Sequence, residues 1–255
     1  MASQDRNTAA TFAKGMAVLA AFDGARPALT LAEIARLTGQ DRATARRGAL
    51  TLVQLGYLQQ HERAFRLTPK VLALAGGFLK SNQFGRRVQP VLNHHAGELG
   101  AEITLAGRQG DEVLLLAQST LGQGPVSQGF TLGSRLPLLH TSLGRMLLAC
   151  EDDAVVAGIV ASAPLPRHTE QSLGDRAVIE TRIRAARAEG FAVTDSEFES
   201  GIIGYAVPVS RPGHRAVVVG ASRPRGSGGD ELDFVLQRLQ LCAADLRQNA
   251  ALENL

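Results

Sequence analysis

Three groups of residues in this chain have types and spacing suited to chemistry. The first is Arg42, Arg46 and Arg47, three guanidiniums interleaved with Ala43, Thr44 and Ala45. Arginine pairs bidentately with guanine O6 and N7, and a threonine methyl can meet a thymine methyl. Small residues mixed with arginines therefore suit a helix lying close to a groove floor. The second group is His140-Thr141-Ser142-Leu143-Gly144. A helix starting near Ser142 would present free N–H groups, a favourable dipole and two hydroxyls to an anion; the alternative is that Ser142 only caps its own helix. Arg145, one turn in, strengthens an anion site only if it folds back. The motif resembles a nucleophile elbow faintly, because His140 stands where the strained turn needs glycine. The third group is Asp195, Glu197 and Glu199, which share one side if the chain is extended there. Paired carboxylates can do acid–base work or hold a metal, but the ordinary use of such a run is a solvated strand edge.

Other residues offer less. His94 and His95 are adjacent on an expected helix, where side chains diverge by about 100°, so they do not easily share one metal. His61 belongs to a turn with no second ligand near it. Cys150 and Cys242 are the only cysteines and form neither a disulfide framework nor a metal knuckle; both are expected as small buried residues. No metal or cofactor is expected.

The elements that would position the arginines are legible. Apolar residues from Phe12 to Phe22 recur at helical spacing, and Asp23-Gly24 with Pro27 ends that helix. Thr30 with Glu33 forms a capping box for a second helix, which Gly39 stops. Asp41 caps a third. Projected at 100° per residue, that third helix turns Ala45, Ala49, Leu52 and Val53 to one side and Ala43, Thr44, Arg47 and Thr51 to the other, with Arg42 and Arg46 flanking. The alternative for such a face is plain solvation of a basic surface. Two short strands, 57–60 and 64–68, follow around His61-Glu62-Arg63. This is the pattern of a winged helix-turn-helix. Its expected duplex contacts are Thr30, Arg42, Ala43, Thr44, Arg46, Arg47 and Thr51, with Arg63 and Arg66 of the wing on backbone phosphates or the minor groove.

Pro69 opens another helix to about Ser81, in which Gly76-Gly77 weakens the helix or admits another chain. It reads as a linker and dimer element. Beyond Arg86 the pattern changes: a helix over 87–99, strands over 102–106 and 112–118, a Gly- and Gln-rich loop over 121–133, and a helix from Ser142. A long helix follows over 175–189, then strands over 191–195, 205–209 and 216–222, and a closing helix over 231–249. Helices around an antiparallel-leaning sheet make this part α+β. The expected organisation is a DNA-binding domain over 1–68, a linker over 69–85 and a second domain over 86–255.

Charge divides along the same line. Residues 1–85 hold 11 Lys+Arg against 5 Asp+Glu, and residues 86–255 hold 16 against 19. A basic front third on a slightly acidic remainder suggests a polyanion-binding module joined to something else. With 45% hydrophobic residues the chain can bury a core. No signal-peptide core or membrane-length apolar run is present, so a soluble cytosolic protein is expected, with no membrane partner.

The motifs FAKGMAVLAAF, LTLAEIARLTGQDRATARRGALTLVQLGYL and FRLTPKVLAL resemble the IclR family of bacterial transcription regulators, in the branch that governs aromatic-acid catabolism. SRLPLLHTSLGRMLLA, RAEGFAVTDSEFESGIIGYAVPV and AVVVGASRP are similar to the family's effector-binding domain. The resemblance runs from about Phe12 to Asn249. It implies a winged helix-turn-helix, a linker helix and a GAF-like effector domain, a homodimer or a homotetramer built from paired dimers, promoter DNA as partner and a small aromatic or other carboxylic acid as effector. By the same resemblance the effector pocket takes His140, Thr141, Ser142, Leu143, Thr194, Asp195, Gly204, Ala206 and Ser222. The chain departs from the family at Thr141-Ser142-Leu143 and at Gly204. The competing expectation is a small-acid-binding or hydrolytic α+β enzyme with an accessory basic terminus.

Overall fold

A computed structural model of the chain describes residues 9–22, 26–120, 130–210, 215–226 and 231–248. The expected tail, the Asp23-Gly24 stop, most of the 121–133 loop and the turns near 211–214 and 227–229 lie outside them. The chain divides into two compact units, Met1–Ser81 and Asn82–Leu255, and the division falls inside the expected linker.

The first unit opens with α1 (Ala10–Ala20), followed by β1 (Leu29–Thr30), α2 (Leu31–Thr38) and α3 (Arg42–Gln54). Thr30 caps α2 through both halves of a capping box. Gly39 turns the chain at φ 64°, a conformation glycine adopts without strain. Asp41 then caps α3 by accepting the Thr44 N–H at 2.9 Å. Val18, Ile34, Ala45, Ala49, Leu52, Leu58 and Phe65 close the core between the helices and the hairpin. The hairpin pairs β2 (Leu58–His61) with β3 (Ala64–Leu67), and β1 adds a third strand on the other edge of β3. Sequence reasoning missed β1, since two residues carry no alternation. Helix α4 (Val71–Ser81) buries none of its residues and leaves Leu72, Leu74 and Phe78 exposed.

In the second unit a π-helical turn, Phe84–Val88, leads into α5 (Gln89–Leu99). Six antiparallel strands follow in the spatial order β6-β5-β4-β9-β8-β7: β4 (Ile103–Gln109), β5 (Glu112–Gln118), β6 (Arg135–Pro137), β7 (Ala192–Asp195), β8 (Ile202–Pro208) and β9 (Val217–Pro224). Helices α5 and α9 (Glu231–Arg247) pack together and cover one face. Helices α6 (Ser142–Ala149) and α8 (Arg176–Glu189) cover the other, with α7 (Asp153–Ser162) against α8. The result is an α+β sandwich with the sheet as its middle layer. Leu147, Leu148, Ile179 and Ile183 fill the α6/α8 side against Ala106, Val113, Ala206 and Val218. Helix α7 and the edge strand β6 were not anticipated. DAVVAGIVAS is apolar all round, so it shows no amphipathic period although only Val156 and Val160 are buried.

Candidate functional site

The α3 face is laid out as its projection predicts. Ala45, Ala49 and Leu52 are buried, while Arg42, Ala43, Arg46, Arg47 and Thr51 are exposed and Thr44 is half-buried. Arg47 donates to the Thr44 hydroxyl at 3.3 Å. The Thr51 hydroxyl donates back to the Arg47 carbonyl at 2.9 Å. Gly48, not singled out beforehand, sets the seating of α3. A Cβ there would lie 3.2 Å from the Val18 side chain and 3.7 Å from the Gly15 backbone of α1. Gly48 thus lets α3 approach α1 closely, while the opposite face of α3 stays in water. In the wing, Arg63 and Arg66 are exposed, and Glu62 holds φ 52° in the tight turn. The Thr30 hydroxyl is engaged with Glu33.

The second unit contains a cavity between the start of α6 and one end of the sheet. Leu115, Phe130, Leu136, Leu143, Phe198 and Ile202 give it apolar walls. Thr141, Ser142, Thr194 and Ser222 line it with hydroxyls. Gly204 lines it too, opposite Thr194 in the β7–β8 register and opposite Ser222 in the β8–β9 register. A Cβ on Gly204 would come within 2.8 Å of the Ser142 hydroxyl and 3.0 Å of the Thr194 hydroxyl. Glycine here is what lets those two hydroxyls converge.

The cap of α6 is Thr141, not Ser142. The Thr141 hydroxyl accepts the Gly144 N–H at 3.1 Å and donates to the Pro137 carbonyl at 2.7 Å. Ser142 is therefore the first residue of the helix. The amides of Ser142 and Leu143 have no acceptor among the described residues, so the first turn keeps donors for a ligand. Gly144 is required by packing: a Cβ there would lie 2.2 Å from the Leu138 carbonyl oxygen. The glycine of the HTSLG motif thus seats α6 against the turn at Leu138 that follows β6, and forms no nucleophile elbow.

Three residues expected in the pocket stand outside its lining. His140 is fully buried behind it, its Nε2 3.0 Å from the Leu173 carbonyl, and its ring meets His168 edge-on at 5.1 Å. Burial, with His140 second, lowers the His168 pKa. Asp195 is paired with Arg225 at 2.7 Å. Ala206 faces the α6/α8 core. Conversely, Phe198, Glu197, Glu199 and Glu102 line the cavity and were not assigned to it. The expected alternation of Asp195, Glu197 and Glu199 fails because Ser196 turns the chain at φ 56°. Glu197 is not on a solvated edge: it is 8% exposed and receives both terminal nitrogens of Arg145. Arg145 is itself 2% exposed and also donates Nε to the Leu139 carbonyl. It therefore adds no free positive charge to the cavity. Burial raises the pKa of Glu199.

The remaining candidates resolve as follows. The ligand atoms of His94, His95 and Glu98 lie within 4.8 Å of one another, closer than adjacent helical positions suggested. Arg238 already pairs with Glu98, and Asp245 lies 2.9 Å from His95 Nε2. Cys242 is buried as expected, but Cys150 is exposed. Burial pushes the Cys242 thiol up to about 12, which keeps it protonated and poorly nucleophilic. Among the described residues, no helix is long and apolar enough to cross a membrane.

A winged helix with an outward arginine face, joined to a sheet domain holding a small cavity, defines a ligand-controlled DNA-binding protein. Residues 11–62 match the IclR helix-turn-helix domain, and residues 77–248 match the bacterial transcriptional regulator IclR C-terminal domain. The chain belongs to the IclR family of transcriptional regulators. It is 35% identical over 199 residues to a Pca regulon regulatory protein of Pseudomonas putida, covering 78% of this chain and 68% of that one. An IclR family transcriptional regulator from Brucella abortus shares the fold with a TM-score of 0.81 at 24% identity, over 97% of this chain and 95% of that one. The inducer-binding domain of an Acinetobacter PobR transcription factor, a double mutant solved with 3-hydroxybenzoic acid, aligns at 28% identity with a TM-score of 0.57. That alignment covers 62% of this chain and 94% of that domain.

Proposed function

We propose that this regulator senses a small aromatic carboxylic acid in the cavity at the start of α6 and responds by changing how it holds promoter DNA. The observation that carries this reading is the cavity's composition: flat apolar walls, including Phe130 and Phe198, beside free helix-start amides and the Ser142 and Thr194 hydroxyls. The cavity measures about 100 Å³. That is the order of the roughly 150 Å³ apolar cavity that takes up benzene, so one ring fills it. Among the described residues the lining contains no lysine or arginine, so the carboxylate is held by amides, hydroxyls and the α6 dipole. The relatives' names support the ligand class, since one serves a Pca regulon and one was solved with 3-hydroxybenzoic acid.

On the DNA side, Arg42, Ala43, Thr44, Arg46, Arg47 and Thr51 of α3 meet the major groove, while Thr30, Arg63 and Arg66 meet the backbone. The exposed apolar residues Phe12 and Met16 of α1 and Leu72, Leu74 and Phe78 of α4 pair two copies. The effector shifts that pairing through the 69–85 segment. Thermal-shift measurement against aromatic and aliphatic acids tests the ligand reading. An acid at 100 times its dissociation constant adds about 2.7 kcal/mol, and a shift with aliphatic acids alone contradicts the proposal.

A further inference from the structure

We propose that Glu199 is the residue that reads the substituents of the effector ring, accepting a hydrogen bond from a ring hydroxyl. The inference rests on the aromatic-acid reading and deepens it. Three carboxyl side chains line the cavity: Glu102, Glu197 and Glu199. The chain satisfies two of them. Glu197 is locked bidentately by Arg145. Glu102 accepts from the Gln118 amide. The Glu199 side chain has neither a hydrogen bond nor an ion pair among the described residues. Only its backbone carbonyl is engaged, by the Ile202 N–H at 3.2 Å.

The surroundings of Glu199 sharpen its role. Burial is the sole cause raising its pKa, with no cation to offset it. A more basic carboxylate is a stronger acceptor, and a phenolic hydroxyl is a good donor. Glu199 follows Phe198 directly, and Phe198 forms an apolar wall with Phe130, ring centroids 6.0 Å apart. A ring lying on that wall brings its edge substituents toward the neighbouring carboxylate, while its own carboxylate takes the donors at Ser142 and Leu143. Glu199 is half-buried, so solvent reaches its carboxylate when the cavity is empty. An unsubstituted ring covers the carboxylate without offering it a donor, which is how a polar site rejects an analogue lacking the matching group.

The test is calorimetric titration of the full chain with benzoate, 3-hydroxybenzoate, 4-hydroxybenzoate and 3,4-dihydroxybenzoate. Wild type is compared with Glu199→Gln and Glu199→Leu, each first shown to melt cooperatively. Wild type is expected to favour at least one hydroxylated acid over benzoate by about tenfold or more. Glu199→Leu should bring that ratio to within about twofold, mainly by tightening benzoate. Glu199→Gln, whose amide oxygen still accepts, should fall between; if the leucine variant does not fold, a glutamine ratio below that of wild type carries the test. A ratio unchanged by either substitution overturns the role of Glu199 while leaving the aromatic-acid reading intact. Equal affinities for all four acids in wild type also overturn it. Binding of none of them overturns the aromatic-acid reading as well.

Discussion

At the scale of single residues, the second unit is organised around one buried ion pair. Arg145 and Glu197 are separated by 52 positions and are almost wholly removed from water. Removing one partner leaves an uncompensated buried charge, at a cost of about 3–5 kcal/mol. Arg145→Leu should therefore lower the urea midpoint sharply. The double variant Arg145→Leu/Glu197→Leu should recover most of the loss, because the remaining charge goes with it. Gly144→Ala forces a methyl onto the Leu138 backbone and should cost about 1–3 kcal/mol, read in the same denaturation experiment. On the DNA side, Arg47 and Arg63 should differ in kind. Arg47→Ala should reduce discrimination between operator and scrambled duplex, by about 1–3 kcal/mol for a lost base contact. Arg63→Ala should weaken binding to both duplexes alike and flatten the salt dependence by about one unit or less. Anisotropy titrations over a range of salt concentrations separate the two. Sequence spacing alone could not foresee the ion pair, because nothing local marks Arg145 as the partner of Glu197.

At the scale of elements, local rules carried the first unit and failed in parts of the second. Helix α3 was legible because its small-residue underside repeats at the helical period and its cap stands three residues before the bonded amide. The charge state of that cap gives a pH prediction. Hydrogen bonds from Thr44 hold the Asp41 carboxyl below its ordinary value, and those from Thr30 do the same for Glu33. A lowered folded-state pKa contributes stability that is present above the unfolded carboxylate range and lost as pH falls through the folded value. Asp41→Asn should keep the cap geometry but melt with a shallower acid dependence than wild type, measured by circular dichroism from pH 7 to pH 3. An unchanged acid profile would mean the cap bond is absent in solution. In the second unit, one positive φ at Ser196 decides which carboxyl faces the cavity, and no periodicity rule contains it. Helix α7 escaped for the opposite reason: its alanines and valines are apolar on every side, so burial of two of them leaves no stripe to read.

At the scale of the whole molecule, the basic front and acidic remainder anticipated two units with two tasks, and the family match gives those tasks their names. Helices α1 and α4 each leave large apolar side chains exposed among the described residues, which fits the proposed pairing of two copies. Light scattering of the full chain should give a dimer mass or a multiple of it, and Leu72→Glu/Phe78→Glu should lower it. Function requires that ligand and duplex binding be linked, with a coupling of about 1–3 kcal/mol, or roughly 5–150-fold in affinity. The most direct measurement is the affinity of the full chain for the intergenic duplex upstream of its own gene, taken with and without a hydroxybenzoate that calorimetry shows to be bound. The account predicts specific binding whose dissociation constant moves at least about fivefold when the acid is added. An affinity that stays the same with the cavity occupied, or that is equal for a scrambled duplex, would contradict it.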